Sequence, residues 1–373
     1  MEYFKPEAEH GIVHRFPDDT CFKYCGWPTV CRDERGVIYA AASGMRLTHV
    51  DPVGKNCMWV SLNQGKTWSP TMILNDSHFD DRDTGICYLG NGKMVASWFT
   101  CFYDNYLDDM QDQDWFNPSD KAITKGFGNM WRTLSKEQIE AESGSFVALS
   151  DDYGMTWSER IKVPLSAPHG PSACRDGSLV YMGKAWVEEV SQPVGDVVVY
   201  TSRDCGRTWE YTGTVPLGED CVLEQMHEPH VVELPNGRLL GTIRVHGRSE
   251  NPPHSVYTTF SDDKGKTWSV PKCIGTNGMP PHVLVHSSGA VICSYSDRTY
   301  NAQCERAAVS YDNGETWTED YILDDNIGKQ KDMGYPSSVE LDDGSILTVY
   351  YQALPDDWHT SVLYTKWRLN DRK

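Results

Sequence analysis

The sequence Ser150-Asp-Asp-Tyr-Gly-Met-Thr-Trp157 is one copy of a repeated pattern, Ser-x-Asp-x-Gly-x-Thr-Trp, that predicts the fold. Further copies begin at Ser61, Ser202, Ser261 and Ser310. The copy at Ser61 carries Asn63 in place of the aspartate. In such a turn glycine supplies a positive φ, the Asp side chain binds backbone amides, and the Trp packs beneath. The repeat therefore predicts hairpin turns with a structural role and no catalytic one.

A second repeat alternates with the first. In it, a proline is followed by an alternating apolar run and then by a turn glycine, over residues 28–36, 229–237, 281–289 and 336–344. Residues 171–177 form a shorter copy, and a copy without the proline begins at Asp83. A second alternating run follows each turn, as at 239–244 and 346–351. Alternation on both sides of a turn glycine predicts a β-hairpin in each copy.

Together the two repeats predict six four-stranded units, five of them closed by the Ser-x-Asp turn. The turns that begin at Ser150, Ser202, Ser261 and Ser310 start 49 to 59 residues apart. This is the period of a propeller blade. We therefore predict an all-β fold, a six-bladed β-propeller formed by residues 1–373 as a single domain. The last unit lacks the turn, so we expect residues 361–369 to close the ring by pairing with the N-terminal segment.

An insertion interrupts the second predicted blade over about residues 102–143. It is acidic and aromatic, and Ser135-Lys-Glu-Gln138 matches a helix capping box, so we predict that it is partly helical. An excursion of this length in a short-looped repeat is usually functional or mobile. A lid over the axial cleft and a simple surface excursion are equally compatible with the sequence.

Composition excludes several kinds of partner. The chain has 34 Lys and Arg against 53 Asp and Glu, a net charge of −19, which argues against nucleic acid or an anionic membrane. It has no apolar run of about 20 residues, and no basic segment followed by an apolar stretch at its start. The twelve cysteines form no dense cluster. We therefore expect a cytoplasmic protein with reduced thiols, most of them in the core, and with no metal site or cofactor.

The blade openings resemble those of the sialidase (neuraminidase) superfamily, whose members carry these turns, called Asp boxes, on six-bladed propellers. His227-Glu228-Pro229, with Arg244 at the end of the next strand, resembles the start of the fourth sialidase blade. Gly334-Tyr335-Pro336-Ser337 resembles the sixth, which begins with the nucleophilic tyrosine. A further sialidase arginine precedes the fifth Asp box, where this chain offers Arg298 and Arg306. The resemblance spans nearly the whole chain.

The first blade departs from the sialidase pattern. Sialidases carry Phe-Arg-Ile-Pro there, and that arginine is one of three that grip the substrate carboxylate. This chain reads Cys25-Gly26-Trp27-Pro28, so that arginine is absent. Arg46 matches the place of an extra sialidase arginine, and Arg82 offers a cation from the second blade. Neither occupies the position of the missing arginine, so the resemblance alone does not assign sialic acid as the substrate.

Residues at the start of each innermost strand of a propeller converge on its axial mouth. We expect this set to form a polar, substrate-binding site: Trp27, Arg82, Asp83, His169, His227, Glu228, His282 and Tyr335. The resemblance implies that Tyr335 is the nucleophile and Glu228 its activating base. It also implies that Arg244 and Arg298 hold a carboxylate. Three proton donors stay open: Asp51 by position, His49 as its rival, and Asp83.

The sequence thus predicts a cofactor-independent, sialidase-like exo-glycosidase that removes a terminal acidic sugar from a glycan. One alternative is a propeller hydrolase or lyase that acts on another sugar, such as a uronic acid or a deoxy-sugar. A second alternative is a non-catalytic carbohydrate-binding propeller.

Overall fold

The computed structural model describes residues 1–102, 118–185, 196–217, 221–222, 225–246, 254–299, 303–328 and 332–370. Their strands form six mainly antiparallel sheets that follow one another along the chain. The architecture is a six-bladed β-propeller, as the repeats predict.

Each blade is built on strands that are consecutive or nearly so. Blades one and two comprise β3 (Tyr24–Arg32), β4 (Ile38–Arg46), β5 (Lys55–Ser61) and β6 (Met72–Asn75), then β7 (Asp80–Gly90), β8 (Lys93–Cys101), β9 (Gly144–Ser150) and β10 (Ile161–Val163). Blades three and four comprise β11 (Leu165–Ser166), β12 (Ser172–Ala173), β13 (Leu179–Ala185), β14 (Val197–Ser202) and β15 (Glu210–Thr214), then β16 (Met226–Glu233), β17 (Leu239–His246), β18 (His254–Ser261) and β19 (Lys272–Cys273). Blades five and six comprise β20 (Met279–Val285), β21 (Val291–Asp297), β22 (Cys304–Ser310) and β23 (Glu319–Asp324), then β24 (Gly334–Glu340), β25 (Ile346–Ala353) and β26 (Thr360–Trp367).

The N-terminal segment closes the ring. Strand β2 (Glu9–His14) pairs antiparallel with β26 and completes blade six, which confirms the predicted closure. Strand β1 (Glu2–Phe4) pairs parallel with β23 of blade five, a contact that the repeats did not predict. The two blades are therefore joined by one short N-terminal stretch.

The hydrophobic core lies between neighbouring blades. Between blades one and six, for example, Ile38 and Ala40 of β4 share a fully buried cluster with Leu347 and Val349 of β25. These residues alternate along each strand with residues that face the other side of the sheet, because strand side chains have a period of two. The alternation read from the sequence therefore corresponds to blade-to-blade packing.

The Asp-box turns have the predicted hydrogen bonds. In the copy at Ser150, the serine Oγ donates to Asp152 Oδ1 at 2.8 Å and accepts from the Gly154 amide at 2.9 Å. The second Asp152 oxygen accepts from the Thr156 hydroxyl at 2.6 Å. Tyr153 and Gly154 both have positive φ, 62° and 78°, so the turn needs two left-handed residues rather than one. The repeat is a structural device, as its chemistry suggests.

The insertion of blade two contains helices α1 (Pro118–Trp131) and α2 (Lys136–Glu142), between β8 and β9. The capping box of α2 is formed by Ser135 and Gln138. Trp131 donates its indole N–H to the His78 carbonyl at 2.7 Å, just before the innermost strand of the blade. The acidic and aromatic stretch at 103–117 lies outside the described residues, and a lid stays a prediction. Neither described helix is long and apolar enough to span a membrane.

Candidate active site

The innermost strands of five blades share a bulge at the same position. In each of them, two residues lie opposite a single residue on the neighbouring strand. The displaced pairs are Trp27-Pro28, Asp83-Thr84, Glu228-Pro229, Pro280-Pro281 and Tyr335-Pro336. A bulge frees a residue from the ladder and redirects its side chain, commonly next to an active site. The repeated bulge is therefore the device that presents residues at the mouth.

Four of the bulged residues adopt the left-handed backbone conformation. The φ angles are 55° at Trp27, 54° at Asp83, 46° at Glu228 and 54° at Tyr335. Bulky residues rarely take this conformation, which costs about 1–3 kcal/mol each and is concentrated at functional sites. The same strained conformation at equivalent points of four blades marks the mouth as the candidate site.

Tyr335 and Glu228 meet across the mouth. The Tyr335 hydroxyl donates to Glu228 Oε1 at 2.5 Å, which joins blades six and four. The other carboxylate oxygen accepts from Arg244 Nη1 at 2.6 Å. The sequence brought these three residues together only by resemblance, and the structure places them in direct contact.

The charges around this pair favour an ionised carboxylate and a neutral phenol. Burial opposes the ionisation of Glu228, but the charge and hydrogen bond of Arg244 outweigh it and lower its pKa. Burial, followed by the charges of Glu228 and Asp83, raises the pKa of Tyr335, while Arg244 and Arg298 act in the opposite direction. Glu228 is thus ready to accept the phenolic proton when Tyr335 reacts.

Arg298 lies beside the tyrosine, immediately after β21. Its guanidinium carbon is 5.8 Å from the centre of the Tyr335 ring, and its Nη2 donates to the Met333 carbonyl. Arg306, the other candidate for this role, pairs instead with Asp320 of β23 at 2.7 Å, within its own blade. Arg298 is therefore the arginine of blade five that faces the site.

A second carboxylate, Asp332, lies three residues before Tyr335 and was not singled out in the sequence. Its Oδ2 accepts from the Tyr24 hydroxyl at 2.5 Å and lies 2.8 Å from His49 Nδ1. Its Oδ1 accepts from the Tyr351 hydroxyl at 2.7 Å. Burial opposes its ionisation, but the hydrogen bond and charge of His49 outweigh it, with help from Arg298, and lower its pKa.

Asp83 presents a nearly enclosed carboxyl group at the mouth. The residue is 7% exposed, and its Oδ1 is buried without a hydrogen-bond partner among the described residues. Burial raises its pKa to about 7; the nearby Arg82 works against this shift and the charge of Glu228 adds to it. At neutral pH this carboxyl is therefore protonated in part of the molecules.

Arg46 and Asp51 are not at the mouth, contrary to the prediction. Arg46 is fully buried and forms a two-pronged ion pair with Asp80, at 2.5 and 3.0 Å. Asp51 is also fully buried, and its oxygens accept from the amides of Leu47 and Val53. Both side chains stabilise the loop after β4 from inside, so neither contacts a substrate in this conformation.

Trp27, the bulged residue of blade one, is buried behind the mouth and does not present its ring to the solvent. Trp27 is 1% exposed, and the guanidinium carbon of Arg82 lies 4.2 Å from the centre of its ring. A Cβ at Gly26 would lie 3.2 Å from the Tyr24 ring, so the phenol of Tyr24 occupies the space beside this backbone position. The missing arginine of blade one is thus matched by a tyrosine bound to Asp332.

The predicted histidines divide into two groups. His169 and His282 lie below the mouth rather than in it, buried with His230, and the ring centres are 4.4 to 5.7 Å apart. Burial lowers the pKa of all three, so they fill the channel as neutral rings. His227 is half-buried next to Glu228, with its ring 4.8 Å from that of His246. Among the described residues, no group of three or more His, Cys, Asp or Glu side chains is arranged to hold a metal ion.

Comparisons with known proteins agree with this fold. A protein of unknown function from Dyadobacter fermentans is 21% identical, with a TM-score of 0.74, and the match covers 97% of this chain and 98% of the other. A Hadza microbial sialidase is 18% identical, with a TM-score of 0.66 over 96% of this chain and 68% of the other. An α-L-arabinofuranosidase from Fusarium graminearum is 13% identical, with a TM-score of 0.62 over 98% and 99%.

The TM-scores show a likeness of fold, and the latter two neighbours are named as a sialidase and an α-L-arabinofuranosidase. A comparison with curated protein sequences finds no match. The BNR repeat-like domain family matches residues 126–353, which is more than half of the chain and contains four of the five Asp-box turns. The chain therefore belongs to the BNR repeat-like domain family.

Proposed function

We propose that this protein is a glycoside hydrolase in which Tyr335 is the nucleophile and Glu228 is its base. The observation that carries the proposal is the 2.5 Å hydrogen bond from the Tyr335 hydroxyl to Glu228 Oε1. Arg244 holds the other Glu228 oxygen and keeps the carboxylate ionised. A nucleophile in contact with a base that is itself oriented by a third group is the usual arrangement for covalent catalysis.

A tyrosine is a suitable nucleophile when the sugar carries a carboxylate. A carboxylate on the anomeric carbon repels an anionic nucleophile, whereas a phenol is neutral until Glu228 removes its proton; sialidases use this route. We propose a terminal acidic sugar as the substrate, sialic acid or a related compound. Arg244 and Arg298 support this choice, because guanidinium groups bind carboxylates well.

A related hydrolase for a different sugar is the second candidate. Arg46 is committed to Asp80, and Tyr24 with Asp332 stands beside the position where sialidases place an arginine. The cationic grip on a carboxylate is therefore weaker than in a three-arginine site. The structural likeness to an α-L-arabinofuranosidase is compatible with this alternative.

The test is hydrolysis of a panel of 4-nitrophenyl glycosides, including sialosides, uronides and arabinosides. We expect turnover of one acidic glycoside by the wild type and a loss of at least about 100-fold in Tyr335→Phe. Tyr211→Phe is the matched control, because Tyr211 is 43% exposed and lies on the outer strand β15.

Each outcome separates the candidates. Turnover of a uronide or an arabinoside without turnover of a sialoside favours the second candidate. Turnover that is unchanged in Tyr335→Phe rejects Tyr335 as the nucleophile. Sugar binding without any turnover identifies a carbohydrate-binding propeller.

A further inference from the structure

His49 is carried by a loop that is held from inside. Arg46 donates to the carbonyls of Thr48 and His49 at 3.2 and 3.1 Å, and Asp51 binds the Leu47 amide at 2.6 Å. The backbone on both sides of His49 is thus fixed by two buried charged residues. A loop held in this way places a side chain reproducibly, as catalysis requires.

The ring of His49 is oriented by Asp332. Nδ1 lies 2.8 Å from Asp332 Oδ2 and 3.0 Å from the Tyr24 hydroxyl oxygen, whose own proton is directed to the same Asp332 oxygen at 2.5 Å. An ionised carboxylate only accepts hydrogen bonds. The proton on His49 must therefore be on Nδ1, which leaves the lone pair, or a second proton, on Nε2.

The rest of the ring is partly open to solvent. The His49 side chain is 34% exposed, and its Nε2 makes no hydrogen bond to any residue that the structure describes. The ring meets Trp27 edge-on at 5.0 Å, and Trp27 in turn lies 6.4 Å from the Tyr335 ring. His49 is therefore separated from the nucleophile by one aromatic residue, and its own side chain is partly accessible.

We propose that His49, oriented by Asp332, is the group that exchanges a proton with the departing and the incoming oxygen; this rests on the glycoside hydrolase function proposed above. In the first step, Tyr335 Oη bonds to the anomeric carbon and gives its proton to Glu228. The glycosidic C–O electron pair goes to the leaving oxygen, which takes the Nε2 proton of a His49 ring that starts this step protonated on both nitrogens and ends it with a proton on Nδ1 alone. In the second step, water attacks the same carbon and gives a proton to Nε2, and the pair of the Tyr335 bond returns to Oη, which regains its proton from Glu228.

Asp83 is the competing donor, and its surroundings suit it less. It is 7% exposed, whereas the leaving group must extend out of the mouth towards the rest of the glycan. Its charge acts on Tyr335 and Glu228, so it lies close to this pair. In this arrangement Asp83 influences the nucleophile, His49 handles the leaving oxygen, and Asp332 is a positioning residue.

The kinetic test compares leaving groups. For His49→Ala we expect kcat/KM to fall about 100- to 10,000-fold on a methyl or disaccharide glycoside, but less than 10-fold on the 4-nitrophenyl glycoside of the same sugar, because nitrophenolate leaves without a proton. Asp332→Asn should show the same selectivity to a smaller extent. His10→Ala, on the exposed strand β2, is the control and should change neither rate. Equal losses on both substrates, or a selective loss in Asp83→Asn instead, would overturn the proposal.

A second measurement needs no substrate. Nitrogen-15 NMR of the imidazoles should show the His49 proton on Nδ1 in the wild type and a loss of that preference in Asp332→Asn. A wild-type ring protonated on Nε2 alone would overturn the proposal. Failure of the hydrolase function would appear differently, as no turnover of any glycoside by a protein that shows the expected tautomer.

Discussion

Replacing Glu228 with glutamine separates the two effects of this carboxylate on Tyr335. The carboxylate accepts the phenolic proton at 2.5 Å, and its charge also raises the pKa of the phenol. Two unit charges at this distance repel by roughly 7 kcal/mol at an effective dielectric constant of about 20. Glu228→Gln therefore removes the base but also makes the phenolate easier to form.

We expect opposite consequences at neutral and at alkaline pH. At pH 7 the variant lacks the base, and kcat/KM should fall about 100- to 10,000-fold. Because the pKa of Tyr335 falls when the negative charge is lost, its phenolate fraction, and with it the activity, should rise as the pH increases. The activity of the variant should thus recover at alkaline pH relative to the wild type.

The assay is kcat/KM against pH on the 4-nitrophenyl glycoside that the wild type prefers, with ultraviolet titration of the phenol in parallel. Glu233→Gln, at the far end of the same strand, is the matched control and should leave the profile unchanged. Near-wild-type activity of Glu228→Gln at pH 7, or a deficit that grows as the pH rises, would refute the pairing of Tyr335 with Glu228.

Three further predictions concern stability. Ser150→Ala leaves the buried Gly154 amide without an acceptor and should cost about 1–3 kcal/mol in urea unfolding. Arg46→Ala leaves the buried Asp80 with only the more distant Arg82, at 3.9 Å, as an ion-pair partner and should cost about 3–5 kcal/mol. Burial raises the pKa of Glu305 to about 8, so its contribution to stability is complete below about pH 4 and is lost as the pH rises towards 8, by up to about 1.4 kcal/mol per unit. Glu305→Gln should flatten this dependence in urea titrations between pH 5 and 8.

For each stability prediction, a specific result would contradict the reasoning. Met155→Ala, at an exposed site in the same turn, is the control for Ser150→Ala, and equal effects would discount the amide argument. An Arg46→Ala protein as stable as the wild type would show that the Asp80 ion pair is unimportant. An unchanged pH slope in Glu305→Gln would place the titrating groups elsewhere, for example at Asp81, whose pKa is also raised by burial, to about 7.

The fold was predictable because its information is local and repeated. Each Asp box specifies its own turn through hydrogen bonds between neighbours in the sequence, as at Ser150 and Asp152, and the last four copies give the period of the blades. The pairing of β1 with blade five was not predictable, since Glu2–Phe4 carries no repeat signal. Most of the cysteines are buried, as expected of small core residues.

The site was predictable only in part, for two physical reasons. The proline after Trp27, Glu228 and Tyr335 signals a break in the strand, and this led to the residues of the mouth. The sequence pattern does not indicate whether a polar side chain is exposed or buried, however. It therefore did not predict that Arg46 and Asp51 are enclosed.

Asp332 was missed because its partners are distant in sequence. It precedes β24 with no motif of its own, yet it joins Tyr24 and His49 of blade one to Tyr351 of blade six. The useful signal would have been an aspartate just before a predicted nucleophile, on the loop that leads to the mouth.

The central claim is that the Tyr335 oxygen bonds to the sugar, and the most direct measurement is to trap that bond. The wild type would be treated with a fluorine-deactivated glycosyl fluoride of the sugar it hydrolyses, digested, and analysed by peptide mass spectrometry. We predict one glycosyl adduct, on Tyr335, that disappears in Tyr335→Phe. An adduct on Glu228 or Asp83, or hydrolysis with inversion and no adduct, would contradict the mechanism.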